Sequence, residues 1–228
     1  MAPKMKFKCP VCQHEIERQF DIAINTRLNP DLKEKLLDGT LLLFECEHCG
    51  AKRHISSQFL YHDPDKKLLF HVAPQYNEQR EAIQAQLNDL INSFPVSVDD
   101  YEMRIMLNMA DLMEKVQIYD SGFKDTEIEM VKMLTDGLFA KENPTAQVKN
   151  RYFFLNKEGQ PKFLYVTDTN QMMVDCHERL LTFIRDKFKR ALKQNTKGHF
   201  RIINHAWAEN ILQNKETEEA GHNLDKFS

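Results

Sequence analysis

The chain is 228 residues long, 42% hydrophobic and 29% charged, with a formal net charge of −3 at pH 7. That length fits one large domain or two modest ones, and the apolar fraction suffices for a core that does not rest on metal alone. The acidic balance gives no global footprint for nucleic acid, and no apolar stretch approaches the roughly 20 residues needed to span a bilayer.

The first segment, Met1 to Lys8, carries three lysines but no apolar run after them, so it does not read as a secretory signal. A cytoplasmic protein without membrane association is expected, where thiols stay reduced and paired cysteines mean metal rather than disulfide. Two C-x-x-C pairs follow, Cys9/Cys12 and Cys46/Cys49. Each lets a tight turn aim two sulfurs at one point, and two such points complete a tetrahedral thiolate site. Zinc is the expected cofactor, with iron as the chemical rival.

Cys9-Pro10-Val11-Cys12 alone also suits a thioredoxin-like redox pair, but that chemistry needs a helix to begin at the first cysteine. Instead Ile16, Arg18, Phe20, Ile22 and Ile24 alternate along one extended strand. Leu41 to Phe44 and Ile55 frame the second pair in the same way. Strand, knuckle, strand, twice over, is the layout of a zinc ribbon. His14 and His48 lie close enough to compete as ligands, yet four thiolates already close the shell and leave no open position for water, which speaks against metal-assisted hydrolysis. Gly50 follows the second knuckle, where positive φ is needed; the matching place in the first holds Gln13, which is expected to strain that turn.

Between the pairs, Asn29-Pro30-Asp31 signals a helix start, with Asn29 as cap, Leu32, Leu36 and Leu37 inward, and Gly39 as the stop. Phe59-Leu60-Tyr61 and Leu68-Leu69-Phe70 flank a turn made by Asp63-Pro64-Asp65, so a hairpin is expected and His62-Asp63 needs no catalytic explanation. The early C-P-x-C, the second C-x-x-C after a helical insert, and the Leu-Tyr-His-Asp-Pro hairpin together resemble the bacterial CpXC domain family. The resemblance continues through Arg104-Ile105, Asp111-Leu112 and Glu114-Lys115, and covers roughly the first half of the chain. It implies a metal-binding bacterial domain without an established activity. It carries over the four cysteines and supplies no catalytic residue.

Beyond Pro74 the period becomes helical. Asn77 caps a helix with Ile83, Leu87, Leu90, Ile91 and Phe94 inward; a second runs from Asp99 with Ile105, Met109, Leu112 and Val116 on one side; a third begins at Asp125 with Ile128, Val131, Leu134 and Leu138. Together they suggest a small bundle. Met103, Met106, Met109, Met113, Met130 and Met133 fall here, either as core filler or as an adaptable peptide groove. Period two returns at Val148, with a hairpin of Tyr152–Leu155 and Phe163–Val166, a further strand at Met172–Val174, a helix carrying Leu180, Ile184, Phe188 and Leu192, a short strand at Phe200–Ile203 and a last helix anchored by Trp207. Cys176 beside His177 reads as a structural thiol, because sequence neighbours rarely face each other as a catalytic pair.

The expected fold is α+β: a zinc-ribbon-like unit with inserted helix and hairpin over 1–75, a helical middle region over 76–145, a small α+β unit over 146–212, and a disordered tail over 213–228. No glycine-rich phosphate loop, nucleophile elbow or H-E-x-x-H occurs, so no enzyme is expected. The expected role is a zinc-stabilised binding or scaffold protein with a protein partner. The alternative is nucleic-acid binding through the ribbon and the basic 179–201 helix, whose candidate surface is Lys187, Lys189, Arg190 and Lys193.

Overall fold

The computed structural model describes residues 4–192 and 197–213. Lys193 and the tail beyond Gln213 lie outside these residues, so neither expectation placed on them is addressed. The chain is mixed α+β and divides between Met113 and Glu114 into two compact units, residues 197–201 returning to the first.

In the first unit, β1 (Lys4–Lys8) pairs antiparallel with β2 (Glu15–Gln19), and β4 (Leu43–Glu45) with β5 (Lys52–His54). The expected strand–knuckle–strand pattern therefore occurs twice. The alternating run from Ile16 to Ile24 is not one strand, however. β2 ends at Gln19, and residues 20–22 carry the chain into another sheet, where β3 (Ala23–Asn25) lies parallel to β6 (Phe59–Asp63). Phe20 is buried at this crossing while Ile22 is exposed, which breaks the alternation.

The four-stranded sheet has the order β3-β6-β7-β8, with β7 (Leu68–Val72) forming the hairpin partner of β6 and β8 (Glu102–Met106) parallel to β7. The turn follows the expected chemistry: Asp63 Oδ1 accepts from the Lys66 amide at 3.1 Å. Helix α1 (Pro30–Leu37) buries Leu32 and Leu36. Asn29 precedes it but makes no side-chain cap; its Oδ1 accepts from the Asn25 amide at 2.7 Å instead. Helix α2 (Arg80–Ser93) buries Ile83 and Leu87, and begins after Gln79 rather than at Asn77.

The helix expected from Asp99 through Val116 is corrected. Its first part is β8, in which Met103, Arg104, Ile105 and Met106 are all buried. A strand covered on both faces loses the period-two signature and reads as an unbroken apolar run. Helix α3 (Met109–Asp120) starts only afterwards, where Asn108 Oδ1 accepts from the Asp111 amide at 2.9 Å as an N-cap. Because β8 intervenes, the three helices do not form one bundle: α2 belongs to the first unit, while α4 (Asp125–Glu142) packs with α5 (Glu178–Lys187) in the second. Of the two readings of the methionines, core filling holds for Met103, Met106 and Met130, which are buried; Met109, Met113 and Met133 are half-buried. Phe200–Ile203 is no strand either; isolated bridges join Lys197 to Glu102 and Arg201 to Arg104.

The second unit is built on an antiparallel sheet of order β11-β10-β9, from β9 (Val148–Leu155), β10 (Pro161–Thr167) and β11 (Gln171–Asp175). Phe153, Phe163 and Tyr165 face a core shared with Ile128, Val131 and Phe139 of α4, with Leu181 and Ile184 of α5, and with Phe188 just before α6 (Lys189–Leu192). Leu138 points out and Phe139 takes the inward position expected of it. Helical residues 205–213 add Trp207, Ile211 and Leu212 to the same core. Among the described residues no helix is long and apolar enough to cross a membrane.

Candidate metal centre

The two knuckles repeat one backbone design. In the first, the Gln13 amide donates to Cys9 O at 2.9 Å and the Cys9 amide to His14 O at 2.9 Å. In the second, the Gly50 amide donates to Cys46 O at 2.7 Å and the Cys46 amide to Ala51 O at 2.9 Å. Both turns need a left-handed residue: Gly50 has φ 69°, and Gln13 is forced to φ 60° without glycine's freedom. The strain expected from the sequence is present. Beneath the knuckles Phe7 packs edge-on against Phe44, with ring centroids 4.8 Å apart, and tilts against Phe20.

These turns bring the four sulfurs within 4.8 Å of one another, with Cys9 Sγ and Cys49 Sγ 3.7 Å apart and Cys12 Sγ and Cys46 Sγ also 3.7 Å apart. A tetrahedral ion with metal–sulfur bonds of about 2.3 Å requires sulfur–sulfur edges of about 3.8 Å. The donor set therefore fits a metal ion with little movement. All five cysteines are free thiols. Cys9 and Cys46 are buried and Cys49 is exposed, so the cluster lies at the surface with one side sealed.

The sulfurs are electrostatically unequal without an ion. The Cys12 amide stabilises the Cys9 thiolate and lowers that thiol to about 6, against the cost of burial. At Cys49 the Ala51 amide favours ionisation, but desolvation and the neighbouring sulfurs outweigh it and push the thiol up to about 12. Four thiols crowded together do not all ionise, whereas a divalent cation stabilises all four thiolates. His14 and His48 stack face to face, with centroids 4.9 Å apart and planes 9° apart, outside the four-sulfur set.

The other singled-out residues divide. Cys176 is buried and its thiol is raised to about 12 by burial, while His177 is exposed; they form no catalytic pair. Lys187, Lys189 and Arg190 lie exposed at the end of α5 and on α6. Arg185, in the same basic stretch, pairs with Glu127 at 2.8 Å.

The sequence reading missed a buried charge network in the second unit. Lys132 Nζ lies 2.7 Å from Glu114 Oε1 and 3.2 Å from Glu129 Oε1. Lys115 Nζ lies 2.8 Å from Glu129 and 3.6 Å from Asp125, and donates to Ile203 O at 2.7 Å. Glu114 also accepts from the Phe153 amide, tying α3 to β9. Burial drives the Glu114 carboxyl above its usual value despite Lys132. At Glu129 burial pushes the same way, but Lys115 and Lys132 outweigh it and hold the carboxyl down. Asp125 to Lys132 is buried at every position, so the charges at the start of α4 find their partners inside; its polar sequence, DTEIEMVK, gives no sign of this.

The geometry defines a thiolate metal-binding domain of ribbon type, joined to a second unit with a charged interior. The CpXC protein family matches residues 7–132, from the first knuckle through Lys132 and more than half of the chain, and the chain belongs to that family. No curated protein and no solved structure matches it.

Proposed function

We propose that this is a non-enzymatic, cytoplasmic binding protein in which one zinc ion, held by Cys9, Cys12, Cys46 and Cys49, fixes the ribbon as a rigid surface for a protein partner. The donor chemistry supports zinc, with iron as its rival, since four soft thiolates in a closed shell suit it and leave no position for a reacting water. The observation that carries the partner class is the ribbon's charge. Lys4 and Lys6 share Glu17, Arg18 pairs with Glu47, and Lys52 with Glu45, so three carboxylates stand beside four of its cations. Apolar side chains remain outside: Val11 at the first knuckle is 57% exposed and Leu28 81%. A locally neutral surface with isolated apolar anchors suits a protein better than a phosphate backbone.

Affinity capture with zinc-loaded full-length protein tests this reading. A reproducible partner lost with Val11→Asp or Cys46→Ser, and kept with Lys187→Glu/Arg190→Glu, is expected. Capture that ignores Val11→Asp and Cys46→Ser alike would overturn it.

A further inference from the structure

We propose that the outward face of α5 is a binding surface for single-stranded nucleic acid. Arg179, Phe183 and Lys187 stand at i, i+4 and i+8, which places them on one helical stripe about 6 Å apart along the axis. All three are exposed, and Phe183, at 44%, is among the most exposed aromatic side chains described. Its ring meets that of Phe188 at a steep angle, with centroids 6.3 Å apart. Lys189 and Arg190 extend the exposed charge into the next turn. Glu178 and Asp186 are the acids of this stretch.

The stripe sets one exposed aromatic ring with a cation one turn to either side. The ring offers a stacking platform for a base, and the cations sit where the flanking phosphates would run. A duplex hides its base faces, so this surface selects single strands. An anionic membrane fits less well. Interfacial helices insert an apolar face, whereas the apolar side of α5, Leu181 and Ile184, is already committed to the core. The surface lies in the second unit and does not depend on the ribbon–partner contact proposed above.

The test is fluorescence anisotropy of zinc-loaded full-length protein with labelled 15-nucleotide oligo(U), oligo(dT) and a 15-base-pair duplex, at several salt concentrations. Both single strands should bind more tightly than the duplex, with a log–log salt slope of about −2 to −3 for three or four phosphate contacts. Phe183→Ala should weaken single-strand binding about 5- to 150-fold, and Phe183→Trp should preserve it. Lys187→Glu/Arg190→Glu should flatten the salt slope, while Lys8→Glu/Lys52→Glu on the ribbon should leave binding unchanged. Unchanged circular dichroism melts show that each variant is folded, and Phe183→Trp serves if Phe183→Ala is not. No binding near physiological salt, equal binding of duplex, insensitivity to Phe183, loss through the ribbon pair, or binding only to anionic vesicles would each overturn the proposal.

Discussion

Lys132→Met removes one charge from the network inside the second unit while keeping most of the side chain's volume. Lys132 is 4% exposed, and its ammonium bridges Glu114 and Glu129, which are themselves buried. Glu129 retains Lys115, but Glu114 loses the cation that sits 2.7 Å from it. Breaking a buried pair from one side costs about 3–5 kcal/mol, because the remaining carboxylate keeps the Phe153 amide but has neither water nor a cation beside it. Against the roughly 5–15 kcal/mol that stabilises a domain, this lowers the melting temperature by more than about 10 °C. Trp207, the single tryptophan, packs on the core of this unit, so its fluorescence reports the unit directly in a thermal or urea melt. Glu114→Gln/Lys132→Met, which removes both charges, should cost less than the two single changes added together, with a coupling of about 0.5–3 kcal/mol. A loss below about 1 kcal/mol for Lys132→Met, or strict additivity, would refute the assignment of a tightly coupled buried pair.

Other outcomes follow from the first unit. Zinc-loaded protein should hold one zinc per chain by elemental analysis; Cys46→Ser should lose it and expose β1 to β5 to protease, and iron as the dominant native metal would contradict the donor argument. Gln13→Gly relieves a left-handed residue and should slow zinc loss to a chelator, with a gain of about 1 kcal/mol; unchanged kinetics would mean the turn is unstrained. His71 is largely buried with Nδ1 unpartnered, and burial lowers it to about 4. The unfolded chain takes up a proton near pH 6.5 and the folded one only near 4, so this stability is complete above pH 6.5 and is lost as pH falls towards 4. His71→Leu should flatten that part of the stability profile relative to wild type, and parallel profiles would exclude His71 as the cause.

The metal centre was legible because its information is local. Two C-x-x-C spacings, with a positive-φ position after each, dictate the knuckles whatever surrounds them. The β6–β7 hairpin was legible for the same reason, since Asp63-Pro64-Asp65 fixes its own turn. β1 was legible only as the strand that a ribbon layout requires before its first knuckle, and pairing with β2 holds it. β8 was not read as a strand at all. β8 is hidden by its environment, which buries Arg104 with Met103 and Ile105 and erases the alternation that marks a half-buried strand. Charge was the least transparent signal. Arg185 counts as a surface cation until Glu127 appears beside it, and Glu114-Lys115 reads as ordinary helix surface until α4 supplies Glu129 and Lys132.

Both units pair buried charges internally, Arg104 with Glu102 in the first and Lys132 with Glu114 in the second, but only the first carries a thiol cluster, and this bears on what each can present. The first gathers four thiols at the surface, where a metal ion would complete them. The order of the two knuckles would then depend on metal, and so would any contact that needs Val11 in place. The second completes its charges internally, with Lys115 and Lys132 set against Glu114, Asp125 and Glu129. Its fold, and the α5 surface it carries, should persist when zinc is withdrawn. Chelation should thus abolish partner capture through the ribbon while leaving Trp207 fluorescence and single-strand binding intact. Simultaneous loss of all three on chelation would mean that the metal stabilises the whole chain and that the charge network does not hold the second unit by itself.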